Sequence, residues 1–247
     1  MKTKNENSLQ LARLSENLII GNGKMAKHFA HYLGLLKIPF IQVNRKDFTS
    51  LQIQEHIQKA QRIFLAISDS ALAEFVEKNY IKNKIWIHFS GALSIANAIS
   101  CHPLMSFSEA LYKLEDYKKI HFVISGNHQA EINLKEIIPF IDNPYTVISS
   151  QLKEKYHAYC VIAGNFPIIL WSYVMKEFAQ WQIPEEALEL YLQNNLNNFK
   201  KLKENALTGP LQRKDLLTIE KNINALGDDE KMQSIYKSFV EYKGIKI

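Results

Sequence analysis

Asn17-Leu-Ile-Ile-Gly-Asn-Gly-Lys-Met-Ala26 decides the fold, because a short β-rich run empties into Gly21-x-Gly23-x-x-Ala26 and then into a helical pattern. Strand, glycine turn and helix in that order are what a dinucleotide diphosphate requires. Gly21 permits the tight turn and Gly23 lets backbone approach the phosphates. Ala26 allows the helix to lie close on the strand, and free N–H groups at the helix start face the negative charge. Asn22, Lys24 and Met25 fall in the same turn and complete the set expected around the phosphates. Glycine turns after strands are common, so the pattern alone is weak. A second strand ending at Val43, about 20 residues later as the fingerprint demands, strengthens it.

Outward from this stretch, β-rich runs alternate with helical patterns as far as Ser149. The runs are Asn17 to Ile20, Ile38 to Val43, Arg62 to Ser68, Lys84 to Phe89, His121 to Ser125 and Pro144 to Ser149. Helical stretches lie between them at Lys24 to Leu35, Leu51 to Ala60, Ala71 to Asn79 and Ala130 to Ile141. This predicts an α/β fold with a doubly wound, mainly parallel Rossmann sheet whose ligand crevice opens at the carboxyl ends of the strands. From Ser150 onward nearly everything reads as helix. The expected organisation is a flexible extension over 1–16, a dinucleotide-binding domain over 17–149 and an all-α C-terminal domain over 150–247. Ser150 is positioned to cap a long helix that Pro167 must kink or divide, and Pro184 suits the start of the next.

A chain of 247 residues with 47% hydrophobic and 22% charged residues has ordinary globular composition. The net charge of +5 is spread over helices carrying both signs, which argues against a nucleic-acid partner. No apolar run approaches the roughly 18 or more residues of a membrane span, and the polar N-terminus lacks the apolar segment of a secretion signal, so a cytoplasmic location is expected. Cys101 and Cys160 stand far apart, suggesting neither a disulfide framework nor a zinc site. His28-x-x-His31 has a spacing that can ligate metal, but no third ligand is evident, and it reads as surface.

At the end of the second strand an NAD-binding chain usually offers an acidic residue to the ribose hydroxyls. Here the sequence is Val43-Asn44-Arg45-Lys46. Arg45 can grip a 2′-phosphate through its planar fork and Lys46 can add a point charge, so NADP (NADPH) is favoured as cofactor, with Asn44 beside it. Ser68, ending the third strand, and Ser90, in His88-Phe-Ser-Gly-Ala92, would reach the cofactor from the same edge. Asp69 reads more readily as a helix cap.

Chemistry is expected at the start of the long helix. Lys153, Tyr156, His157, Cys160 and Gly164 share one face at a period of 3.6 residues, with Asn165 on its flank. Lys153, Tyr156 or His157 can protonate a carbonyl or imine as hydride arrives, and Asn165 can orient the reacting atom. Ordinary roles stay open for each, from a solvated lysine to a histidine bonded to backbone. His102, in His102-Pro-Leu-Met-Ser-Phe107 returning across the top of the sheet, is either buried structure or a substrate contact. Trp171 and Trp181, with Tyr173 and Phe178, read as helix packing or a dimer face.

Gly21-x-Gly-x-x-Ala26, Ile87-His-Phe-Ser-Gly-Ala-Leu93, His102-Pro-Leu-Met-Ser-Phe-Ser108, Tyr156-His-Ala158, Asn165 and Ala206-Leu-Thr-Gly-Pro210 with Arg213 and Asp215 together carry a resemblance. The chain resembles bacterial Rossmann-like proteins whose helical C-terminal half is a domain of unknown function. These are similar in plan to pyrroline-5-carboxylate reductase, ketopantoate reductase and deazaflavin-dependent NADP oxidoreductases. The resemblance implies an NADP-dependent oxidoreductase acting on a small carbonyl, hydroxy or imine compound, closed over and dimerised by its C-terminal helices. It implies that Lys153 and Asn165 assist hydride transfer. Two departures stand out: Lys214 replaces the glycine of an Arg-Gly-Asp pattern, and Phe89 stands where threonine is usual. Arg213 suits an acidic substrate or a structural pair with Asp215, which reads as a cap. The rival expectation is a catalytically silent NADP-binding sensor or scaffold.

Overall fold

The structure, a computed structural model, describes residues 16–126 and 133–247. The extension expected over 1–16 therefore falls outside the described residues except for Glu16, as does the start of the helix expected from Ala130.

In chain order the first part runs β1 (Asn17–Ile20), α1 (Lys24–Leu35), β2 (Ile41–Val43), α2 (Ser50–Lys59), β3 (Arg62–Leu65), α3 (Asp69–Asn79) and β4 (Ile85–His88). It continues with β5 (Ile99–Pro103), α4 (Leu114–Lys119), β6 (Phe122–Ser125), α5 (Leu134–Ile137) and β7 (Tyr145–Val147). The strands form one sheet in the order β2-β1-β3-β4-β5-β6-β7, parallel throughout except where β5 meets β6. The order reverses between β1 and β3, which places the crevice of a doubly wound sheet above their carboxyl ends.

Side-chain alternation explains why both faces are covered. On β1, Leu18 and Ile20 enter one core while Ile19 enters the other; on β3, Ile63 and Leu65 oppose Phe64 in the same way. Helix α1 supplies Ala26, Phe29 and Leu33 to the first core, and α2 and α3 supply Ile53, Ile57, Leu72 and Val76 to the second. The helices bury one stripe each, as amphipathic crossovers must.

Two expectations are corrected here. Residues Ile99-Ser-Cys-His-Pro103 form β5, pairing His88 with Ser100 on one side and Cys101 with Ile124 on the other, so the sheet has seven strands rather than six. Only Ile99 in that stretch is β-branched and Pro103 cannot donate to a ladder, so the strand exists through its neighbours. His28 is not on the surface. It is 1% exposed, its Nδ1 lies 2.8 Å from the Tyr117 hydroxyl and its Nε2 3.0 Å from the Ser108 carbonyl, because α4 and the loop before it cover α1.

After β7 a 3-10 turn (Ser150–Leu152) leads into α6 (Lys153–Gln180). Its cap is Ser149, whose hydroxyl accepts from the Gln151 amide, rather than Ser150. Helix α6 continues through Pro167 without a break, although the proline withholds the amide that would serve Ala163. Then follow α7 (Glu185–Leu202), a 3-10 turn (Lys203–Ala206), α8 (Gly209–Arg213), α9 (Leu216–Ala225) and α10 (Glu230–Tyr242).

The chain divides into two compact units between Ile168 and Ile169, inside α6, whereas the sequence suggests 149/150. The first turns of α6 go with the sheet because Lys153 bonds into it, as described below. The second unit holds a small core of Ile219, Ile223, Val240 and Ile245, flanked by Leu211 and Tyr236. Asp215 and Asp229 cap α9 and α10 through the Thr218 and Met232 amides, and the Tyr173 hydroxyl donates to Asp229. Lys214 closes α8 in the left-handed region, at φ 53° and ψ 42°, the backbone state for which glycine is preferred.

By length and composition the stretch Ser150–Gln180 is apolar enough to cross a membrane, contrary to the expectation drawn from the sequence. The apolar run escapes a reading of the sequence because charges cluster at the ends of the helix and few lie in its middle.

Candidate functional site

The turn after β1 is built by its glycines. Gly21 has φ +135°, and a Cβ there would come within 2.1 Å of the Ala66 carbonyl oxygen on β3's exit, so no other residue fits without moving the sheet. Its amide donates to Val43 O at 2.9 Å and its carbonyl accepts from Gln42 Nε2 at 2.9 Å, tying the turn to β2. Gln42 is a support the sequence did not reveal, since a glutamine inside a strand carries no motif. Gly23 is the N-cap of α1, and the space a side chain would occupy there is open. No side chain caps α1 and no acidic residue stands in its first turn, leaving its first amides for a ligand.

Above this turn lies a cleft of about 810 Å³. Gly21, Asn22, Gly23, Lys24 and Met25, the loop Asn44, Arg45 and Lys46, and the strand exits Ser68 and Ser90 all line it, so the structure brings all these expected cofactor residues together. Ile53, Ile67 and Phe75 add apolar wall. Asn44 shapes the rim: its Oδ1 accepts from the Lys46 amide at 2.9 Å while its Nδ2 donates to Asp47 at 2.7 Å. That arrangement occupies the carboxylate of Asp47 and leaves Arg45 and Lys46 exposed. The Lys24–Glu109 ion pair at 3.3 Å is largely solvated and contributes little.

The fit to a dinucleotide is therefore good on three counts: an uncapped helix start, a glycine whose absent side chain opens the approach, and cations at the far rim.

At the other end of the cleft Asp69 departs from its expected capping role. It is the first residue of α3, and its Oδ2 accepts from Ser90 Oγ at 2.8 Å. Ser90 Oγ in turn accepts from the Leu93 amide, and Ser90 O accepts from Ser100 Oγ at 3.0 Å. Lys153, 2% exposed, donates from Nζ to Ser90 O at 2.6 Å and Gly91 O at 3.1 Å. Burial pushes its pKa down to about 8, against the pull of Asp69 and the two cysteines. Burial likewise raises the Cys101 thiol. His88 is fully buried, with neither ring nitrogen partnered among the described residues, and burial followed by the Lys153 charge pushes it down to about 3.

His102 and Tyr156 meet: Nδ1 lies 2.7 Å from the phenolic oxygen. His157 stands beside them with its ring 6.2 Å from that of His102. A Cβ at Gly91 would come within 2.5 Å of His157 Cδ2 and 2.9 Å of His102 Nε2. Gly91 is thus the space in which the two imidazoles approach the strand exit. Asn165 does not join them; it is exposed, further along α6. Arg213 lies in the helical unit, exposed on the last turn of α8.

Residues 120–243, half of the chain, match the family profile described as a domain of unknown function, DUF2520. The chain belongs to the DUF2520 family. No curated protein matches its sequence. Among solved structures, this DUF2520 chain is similar to a candidate NADP oxidoreductase from Bacteroides fragilis at 20% identity and TM-score 0.71, covering 93% of this chain and 98% of that one. A protein from Thermotoga maritima is 24% identical with TM-score 0.70, over 92% of this chain and 96% of that one. Pyrroline carboxylate reductase from Plasmodium falciparum, with NADP bound, is 12% identical with TM-score 0.59, over 92% and 97%. These likenesses show the fold: a Rossmann-like sheet followed by a helical C-terminal region, as the sequence motifs implied.

Proposed function

We propose that this DUF2520 protein is an NADP-dependent oxidoreductase that transfers hydride to or from a small carbonyl, hydroxy or imine compound. The observation that carries the reading is the uncapped start of α1 opening into the cleft, with Gly21 pressed on Ala66 so that backbone amides line the approach. A bound reduced nicotinamide supplies the hydride. The chain's own residues supply the rest: Gly21 to Met25 hold the diphosphate, Arg45 and Lys46 the 2′-phosphate, and Ser68 and Ser90 the nicotinamide end. The Bacteroides and Plasmodium structures, named for NADP oxidoreduction and for bound NADP, support the same choice of cofactor.

Two further parts belong to this reading. The protein works as a homodimer through its C-terminal helices, supported by the exposed Trp181, Leu190, Tyr191 and Phe199 on and before α7. It resides in the cytoplasm rather than in a membrane, supported by α6 itself, whose first residue, Lys153, is committed to Ser90 and Gly91.

Binding titrations of Arg45→Asp test the cofactor choice. Affinity for NADPH falls roughly 100-fold while NADH affinity changes less than about threefold. Equal losses for both nucleotides would place Arg45 away from the 2′-phosphate.

A further inference from the structure

The groups at the exits of β4 and β5 divide into one that is spent and one that is free. Lys153 has two of its three ammonium protons on the Ser90 and Gly91 carbonyls and is closed off from solvent. Ser90 lines the nucleotide cleft, so what Lys153 grips is the cleft's own wall. Tyr156, one turn further along α6, is only partly buried and has its oxygen on His102. The rings of the pair meet edge to face at 5.6 Å.

Resting on the oxidoreductase reading above, we infer that Tyr156, backed by His102, is the proton donor to the substrate, and that Lys153 is a positioning residue that fixes Ser90 and Gly91. His102 Nδ1–H donates to Tyr156 Oη, leaving the phenolic proton for the substrate. As the substrate's C=N or C=O carbon gains hydride, its π pair passes to nitrogen or oxygen, which takes the Tyr156 proton. The phenolate recovers the Nδ1 proton of His102 and His102 takes one from solvent at Nε2, so one proton is consumed per hydride delivered; exchange of the ring protons with solvent then restores the Nδ1–H tautomer. Gly91 keeps the approach to that Nε2 narrow but unfilled by a side chain.

The environment suits both roles. Burial, then the charges of Lys153 and His157, push His102 down to about 4, so its ring is neutral and can carry one proton at either nitrogen. Burial and the Cys160 thiol raise Tyr156, so it keeps its proton until a base forms beside it. The titratable groups that bear on the pair are Lys153, His157 and Cys160, all on α6, while Asp69 on α3, His88 on β4 and Cys101 on β5 bear on Lys153.

The test pairs NADPH fluorescence titration with reduction of 1-pyrroline and pyruvate by wild type, Tyr156→Phe, His102→Asn and Lys153→Met. Tyr156→Phe binds NADPH as wild type does but loses roughly 100-fold or more in kcat. His102→Asn, which keeps a nitrogen near the Nδ1 position, loses about tenfold. Lys153→Met raises the KM and dissociation constant for NADPH about tenfold and leaves the pH dependence of kcat unaltered in form. In the free protein, 15N NMR shows His102 neutral down to about pH 4, and Tyr156→Phe shifts its Nδ1 signal. Wild-type kcat in Tyr156→Phe overturns the assignment, as does a Lys153→Met enzyme that binds NADPH normally but no longer turns over. An unmoved Nδ1 signal, or a wild type that binds NADPH and reduces neither probe, also counts against it. Absence of NADPH binding by wild type overturns the oxidoreductase reading itself.

Discussion

Ile19, Phe64 and Ile87 in the sheet unit are completely buried, whereas Trp181, Leu190 and Tyr191 in the helical unit are 64%, 72% and 63% exposed. The sequence supplies apolar residues freely to both. In the first unit the central strands send alternate side chains into two cores, one on each face of the sheet, so apolar side chains find partners within the chain. In the second, a four-residue core with two flanking side chains serves several helices and leaves a large apolar surface. The contrast separates two jobs: the sheet unit shapes the cleft, and the helical unit leaves the apolar surface on which the proposed homodimer rests.

If that division holds, substitutions in the sheet unit act on folding and cofactor, and those in the helical unit act on association. The largest effect is expected at Gly21. Gly21→Val sets a branched side chain at positive φ against the Ala66 carbonyl, and destabilises by about 3–4 kcal/mol in urea unfolding. A loss below about 1 kcal/mol would mean that the turn is not as tightly packed as the structure shows.

On the helical side, Leu190→Lys leaves the unfolding free energy per chain nearly unchanged but weakens the dimer by about 2 kcal/mol, read as a concentration-dependent monomer shoulder in analytical ultracentrifugation. A wild type that sediments as a monomer would erase the functional half of the comparison.

Lys153 links folding to pH. Its ordinary pKa of 10.5 is lowered to about 8 in the folded protein. Below about pH 8 both states carry the charge and the burial penalty is complete; between about 8 and 10.5 the native state gives up its proton first, so its stability improves. The unfolding free energy of wild type minus that of Lys153→Met should therefore rise by roughly 1–3 kcal/mol across that window. A flat difference would show that the ammonium is better solvated than its 2% exposure implies.

The smallest effect is at Lys214, which holds a left-handed conformation. Lys214→Gly relieves it and raises the melting temperature, at a gain of about 1 kcal/mol. The family-like pattern with glycine is then the relaxed form of this turn.

Much of this was legible in the chain, and the limits follow from physics. β1 and α1 begin and end where the glycine pattern and apolar periodicity place them. Local signals suffice there, because a strand emptying into a glycine turn has few alternatives. β5 was not legible, since its five residues owe their extended form to β4 and β6. His28 looked exposed because nothing in the sequence says that α4 and the preceding loop return over α1. In the site, Lys153, Tyr156 and His157 could be grouped by helical spacing. Spacing does not tell that Lys153 turns inward to two carbonyls while Tyr156 meets a histidine fifty-four positions earlier. Asp69 reads as a cap from its neighbours, and only the fold brings Ser90 to its carboxylate. Asn165 shares the flank of α6 yet stays in solvent.

On the proposed reading the cleft over Gly21 and Gly23 holds a reduced phosphorylated pyridine dinucleotide. Titrating purified protein with NADPH, following nucleotide fluorescence and the quenching of tryptophan, tests it most directly. A saturable signal of one nucleotide per chain, abolished by Gly21→Val and weakened by Arg45→Asp, is the expected result. A wild-type protein that gives no saturable signal with NADPH would contradict the account.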